Sequence, residues 1–241
     1  MTKKYKVRII VPANTEAFNE KIAHAVSPVV PPDIDYDVKN ISSGNDCIEN
    51  RYNLYENSMG VVKLVKETAD EGFDGIFVTD FDMCGVAPAR EIVNIPVIGG
   101  FRASAFTAMM LSERFSIITI LDSTVAMQRE HVKAFGLMEN FASIRNINCP
   151  VQDLSNTEEV IAMVYQACNM AIEQDGAQSI ILGCTGFIGI AEPVSKMLSE
   201  KYGGYIPVTD PNMTAFSYLM LLVRNGYSQS RLCYSKATIG Q

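Results

Sequence analysis

A cysteine set between glycines is the first group in this sequence that could do chemistry. In Leu182-Gly183-Cys184-Thr185-Gly186, Cys184 follows the apolar run Ser179–Leu182 after one glycine and precedes a helical stretch from about Ile188 to Glu200. At a helix N-terminus, unpaired N–H groups and the positive end of the dipole favour a thiolate. Such a thiolate is reactive, which moves the reading of Cys184 from a buried structural cysteine towards function. The small flanking residues let backbone approach a ligand. Asp80, in Thr79-Asp80-Phe81-Asp82, closes a second apolar run. Taken alone it reads as a turn or capping carboxylate. As the counterpart of Cys184 it becomes a candidate functional residue. Cys84 competes for that role and ranks below Asp80, because it lies beyond the end of the run.

Around these two stand candidate substrate-binding residues. Asn14, Thr15, Thr119 and Thr185 are polar groups at strand ends, suited to a substrate amide or carboxylate or to capping a helix. Arg102, in Gly99-Gly100-Phe101-Arg102, is a candidate anion binder, with Phe101 beside it, and Gly186 is a candidate backbone contact. There is no Gly-x-Gly-x-x-Gly and no P-loop, and Gly183, Gly186 and Gly189 have the wrong spacing for a dinucleotide turn. The two histidines, His24 and His131, fall in helical patterns and give little support to a Cys-His hydrolase. No lysine sits in a Schiff-base context. The six cysteines include no Cys-x-x-Cys pair and read as free thiols of a reducing compartment, with no metal site. The expectation is therefore no metal and no cofactor, with the chemistry carried by side chains and backbone dipoles.

The elements that must position these residues alternate. Val7–Val11, Gly75–Thr79, Phe115–Ile120 and Ser179–Leu182 are short and rich in Ile and Val, as buried parallel strands are. Val61–Asp70, Thr124–Phe135 and Thr157–Glu173 carry apolar residues at helical spacing. The alternation implies a parallel sheet with crossover helices. Ser27–Asp35, with three prolines, is expected to be a loop.

The pattern occurs twice. Arg8-Ile9-Ile10-Val11-Pro12-Ala13-Asn14-Thr15 resembles Ser116-Ile117-Ile118-Thr119-Ile120-Leu121-Asp122-Ser123, and Asp74–Asp80 resembles Gln178–Cys184. Ile95-Pro96-Val97 and Ile206-Pro207-Val208 follow in the same order. An internal duplication follows from this order and spacing. It puts Asp80 and Cys184 at equivalent places, each after the carboxyl end of a strand, where open α/β sheets bind ligands.

The chain has 241 residues, 48% of them apolar, with a net charge of −7. That suffices for one large domain or two small ones. The acidic balance gives no nucleic-acid footprint. The N-terminal run, interrupted by Arg8, is neither a signal peptide nor a membrane anchor, and no later stretch has membrane-spanning length. A cytoplasmic location is expected.

The second cysteine motif of the aspartate/glutamate/hydantoin racemase superfamily resembles Leu182-Gly183-Cys184-Thr185-Gly186. Val11-Pro12-Ala13-Asn14-Thr15 resembles that family's Asn-Thr turn, and Pro96–Gly99 and Arg114–Thr119 its middle section. The resemblance spans most of the chain and points to the hydantoin and allantoin racemase branch. It implies two pseudo-symmetric, doubly wound α/β lobes with parallel sheets and an active site in the cleft between them. The lobes are expected at 1–97 with 210–241, and at 98–209. It also implies a homo-oligomer acting on a small-molecule substrate. Family members use two cysteines, one to remove a proton and one to return it. Here Asp80 stands where the first would fall. An unperturbed carboxylate, at about 3.9, is a feeble base beside a thiol at about 8.5. Burial or a nearby thiolate would raise it, and the two would then titrate as a couple. An ionised Asp80 disfavours free aspartate or glutamate and favours a neutral ring. The leading expectation is a racemase or epimerase of a hydantoin-like derivative. A lyase like the arylmalonate decarboxylases, with Cys184 alone, and a non-catalytic two-lobed binding protein stay open.

Overall fold

The computed structural model describes residues 4–237; Met1–Lys3 and 238–241, at the outer ends of the segments expected at 1–97 and 210–241, lie outside the described residues. Eight strands alternate with eight helices among them. The first half runs β1 (Tyr5–Val11), α1 (Asn19–Val26), β2 (Ile34–Asn40), α2 (Arg51–Asp70), β3 (Gly75–Val78), α3 (Val86–Ile92) and β4 (Val97–Ile98). The second runs α4 (Gly100–Leu111), β5 (Phe115–Thr119), α5 (Asp122–Ala134), β6 (Phe141–Asn146), α6 (Thr157–Asp175), β7 (Ser179–Leu182), α7 (Ala191–Tyr202), β8 (Val208–Thr209) and α8 (Pro211–Asn225).

The strands form two parallel four-stranded sheets of orders β2-β1-β3-β4 and β6-β5-β7-β8, so the second sheet repeats the first. In each, the chain leaves the first strand to one side and returns to pair on its other side. The carboxyl ends of β1 with β3, and of β5 with β7, thus form two topological switch points. Every residue of β3, β5 and β7 is buried, as a strand covered on both faces requires.

The chain divides into two compact units. One holds the described residues up to Ile48, Tyr52–Gly100 and those from Ala215 on; the other holds Glu49–Arg51 and Phe101–Thr214. In the first, Ile10, Ile76 and Val78 pack with Val61, Leu64 and Val65 of α2 and with Val86 and Ala89 of α3. In the second, Ile118, Ile180 and Leu182 pack with Val160, Val164 and Ala171 of α6 and with Val194 and Leu198 of α7. The same strand positions anchor both cores.

Some expectations change. Ser27–Asp35 is not wholly loop: Ser27–Val29 is a 3-10 turn, and Ile34 already opens β2. The helix expected from Val61 begins ten residues earlier, at Arg51. No described helix is long and apolar enough to cross a membrane.

Candidate active site

Strand register fixes the relation between the two candidate acid/base residues. Ile10 pairs with Val78, and Ile118 with Leu182. One residue on, the Thr79 N–H donates to the Ile10 carbonyl at 2.9 Å and the Gly183 N–H to the Ile118 carbonyl at 2.7 Å. Asp80 and Cys184 come next. They hold the same place in the two sheets, two residues past β3 and β7 at the switch points.

Cys184 does not stand at a helix N-terminus. Turns fill the seven residues from Cys184 to Ile190, and α7 starts at Ala191. The expected dipole is therefore absent from the thiol's first turn. In its place, the Gly186 N–H donates to Cys184 Sγ at 3.3 Å. A donor on sulfur stabilises negative charge there. Cys184 is half-buried.

The glycines answer to packing inside the protein. A Cβ on Gly183 would lie 2.6 Å from Ile117 Cγ2, 2.7 Å from Gln128 Oε1 and 3.1 Å from the Ile118 carbonyl. One on Gly186 would lie 2.8 Å from Leu154 Cδ1 and 3.3 Å from Cys184 Sγ. The carbonyls on either side of Cys184 are held by buried amides. Gln128, fully buried in α5, donates Nε2 to the Gly183 carbonyl at 2.7 Å. Asn212, in the first turn of α8, donates Nδ2 to the Thr185 carbonyl at 2.8 Å. Sequence reasoning missed both. Gln128 left one trace, a polar residue on the buried face of α5 with Thr124, Met127 and Val132.

Asp80 is 9% exposed, and its Oδ2 accepts the Cys84 N–H at 2.7 Å. Its carbonyl accepts N–H groups from Gly100 at 2.9 Å and Met83 at 3.4 Å. Met83 sits at φ 60°, a left-handed conformation rare for a residue with a side chain. The carboxylate thus braces a strained turn as well as occupying the register position. The Cys84 thiol is buried, donates to the Leu54 carbonyl at 3.3 Å and lies 3.5 Å from Ser58 Oγ. Burial, then the negative charge of Asp80, pushes it up, so it stays a neutral thiol and makes a poor rival to Asp80.

The other candidates divide. Asn14 is exposed past β1, and its N–H donates to the Asn45 carbonyl. Thr15 Oγ1 accepts the Ala17 N–H at 3.3 Å, a local turn ahead of α1. Thr119 is fully buried, its hydroxyl 2.8 Å from Thr124 Oγ1 and 3.5 Å from the Gly183 carbonyl, so it braces the strand end. Phe101 has no exposed surface. Its ring packs against His131 and Phe135 at 5.2 and 5.8 Å. Arg102, on the same turn of α4, places its guanidinium 4.9 Å from the Phe135 ring and makes no ion pair among the described residues.

The family model for Asp/Glu/hydantoin racemases matches residues 7–219. A hydantoin racemase of Pseudomonas sp. (strain NS671) is 29% identical over 228 residues, 94% of this chain and 89% of that one. The structure of an allantoin racemase from Klebsiella pneumoniae superposes with a TM-score of 0.90 at 26% identity, covering 98% of this chain and 95% of that one. An allantoin racemase from Pseudomonas fluorescens gives 0.89 at 26% identity, with 98% of both chains covered.

Proposed function

Because the chain belongs to the Asp/Glu/hydantoin racemase family, we propose that it is a cofactor-independent racemase or epimerase of a hydantoin-like amino-acid derivative, with Cys184 and Asp80 as its acid/base pair. The observation that carries this reading is the register equivalence of the two residues at the switch points of two like sheets. Inverting a carbon centre takes a proton from one face and returns one to the other, so two groups are needed. Cys184 carries a hydrogen-bond donor on its sulfur, which suits it to act as the base. Asp80 is assigned the opposing role. Backbone N–H groups around Asn14, Thr119 and Thr185 are assigned to the enolate-like charge.

The charge of Asp80 bears on the substrate. An ionised carboxylate repels a second one, which favours an uncharged ring over a free amino acid. Activity on free glutamate equal to that on a hydantoin would sink this assignment.

The test is α-proton exchange in deuterium oxide with 5-substituted hydantoins, allantoin and free amino acids, followed by NMR and optical rotation together. Exchange with loss of rotation is expected, falling at least about 100-fold in Cys184→Ser. Asp80→Asn is expected to retain exchange while losing inversion. Release of carbon dioxide from an arylmalonate would replace this reading with the lyase. Bound ligand without exchange would replace it with a binding protein.

A further inference from the structure

We infer that Asn212 is a positioning residue for Cys184: its buried carboxamide holds the Thr185–Gly186 peptide in the orientation that aims the Gly186 N–H at the cysteine sulfur. The argument is geometric. A peptide unit is planar and, with no cis bonds among the described residues, trans, so its carbonyl and its N–H point in opposite directions. Whatever fixes the Thr185 carbonyl therefore also aims the Gly186 N–H. Asn212 Nδ2 holds that carbonyl at 2.8 Å, and the N–H lies 3.3 Å from Cys184 Sγ.

The arrangement is needed because residue 186 is a glycine. Leu154 and the sulfur leave little room for a side chain there, and glycine makes the peptide before it easy to flip. A flip would turn a carbonyl oxygen towards the thiolate in place of a donor. Asn212 is well placed to prevent it. It is 1% exposed, and the turn that carries it is fixed by Asp210, whose Oδ1 accepts the Asn212 N–H at 2.7 Å and the Met213 N–H at 3.2 Å. On the other side of the cysteine, Gln128 holds the Gly183 carbonyl in the same manner. Gln128 sets where the strand ends, while Asn212 controls the donor on sulfur.

This deepens the proposed reaction by naming a residue that acts through Cys184, yet its test needs no substrate. The measurement is the rate of carbamidomethylation of Cys184 by iodoacetamide across the pH range in which a thiol titrates, read by peptide mass spectrometry. In the same samples, exposed Cys233 reports the reagent and buried Cys168 reports the fold. Asn212→Leu keeps the size and removes the donor without adding charge; Asn212→Ser is the smaller second variant. Both are expected to raise the midpoint of the Cys184 profile by about one pH unit, a loss of about tenfold in rate below the midpoint, with Cys233 unchanged and Cys168 protected. An unchanged Cys184 midpoint in either folded variant overturns the inference. Loss of Cys168 protection in both variants overturns it equally, because Asn212 would then be a residue of the core. Wild-type protein with the expected profile but no racemisation would remove the proposed function and leave this inference standing.

Discussion

At the scale of single residues, the strand end before Cys184 has no room for a methyl group. Gly183→Ala must push against the Ile117 side chain, Gln128 and the Ile118 carbonyl, and the last of these is backbone of a central strand. The substitution is expected to lower stability by about 1–3 kcal/mol in denaturant unfolding and to depress α-proton exchange as well. Gly186→Ala meets the movable end of Leu154 and should cost less stability while still disturbing the sulfur. The choice of Cys184 as a candidate came from a local signal in the sequence, glycines around a cysteine after an apolar run. The reason for the glycines was not. Nor were Gln128 and Asn212, which act on the turn from 55 and 27 residues away. Nor was the setting of Phe101: its neighbours Gly99, Gly100 and Arg102 look like a loop in the sequence, but α4 has already begun at Gly100 and the ring is buried.

At the scale of elements, the strands read from sequence were the longer central ones, almost wholly buried. Four were missed: β4 and β8 are edge strands only two residues long, and β2 and β6, at the opposite edges, are mostly half-buried, so their composition stays mixed. The first turns of α2 were hidden in the same way, with Tyr52, Tyr55 and Met59 exposed. Arg8, which breaks the apolar run of β1, lies directly across from Asp37 of β2 and pairs with it at 2.7 Å. It also bonds Thr68 Oγ1 of α2 at 3.2 Å, meets Glu71 at 3.0 Å and lies 4.1 Å from the Phe73 ring. One charge thereby joins β1, β2 and the end of α2. Removing a partner of a buried charge costs more than replacing the charge itself. Asp37→Ala is expected to destabilise by about 2 kcal/mol, the half-exposed carboxylate and the remaining Glu71 softening the loss. Arg8→Met should stay within about 1 kcal/mol of the parent in the same unfolding measurement.

At the scale of the whole molecule, the repeat first glimpsed in short runs is a repeat of strand order and register. The equivalent of the Arg8–Asp37 pair is Ser116 opposite Ser143, hydroxyls 2.8 Å apart, so one register position carries an ion pair in one sheet and a hydroxyl pair in the other. Such divergence explains why sequence alone showed the repeat only faintly. Stability as a function of pH carries a mark of the second half. Asp210 lines an open cavity of about 910 Å³ beside α7, and burial pushes its carboxyl up to about 6. Its folded value lies above the unfolded value of about 3.9, so its contribution is fully present below about pH 4 and is lost as pH rises through 6. Because Asp210 is half-buried and partly open to solvent, the loss is about 2 kcal/mol. Unfolding midpoints measured from pH 4 to 7 are expected to show this fall, and Asp210→Asn, which can still cap α8, to flatten it.

The division of the chain has a consequence for its synthesis. Apart from Glu49–Arg51, the second unit is one continuous stretch that ends at Thr214, whereas the first borrows from residues made later. Phe216 meets the Tyr36 ring, and Leu219 and Val223 cover Gly75 at the start of β3. As the chain leaves the ribosome, the half encoded first therefore lacks the cover that α8 gives its sheet until the half encoded second is complete. The later half can close its core before the earlier one does.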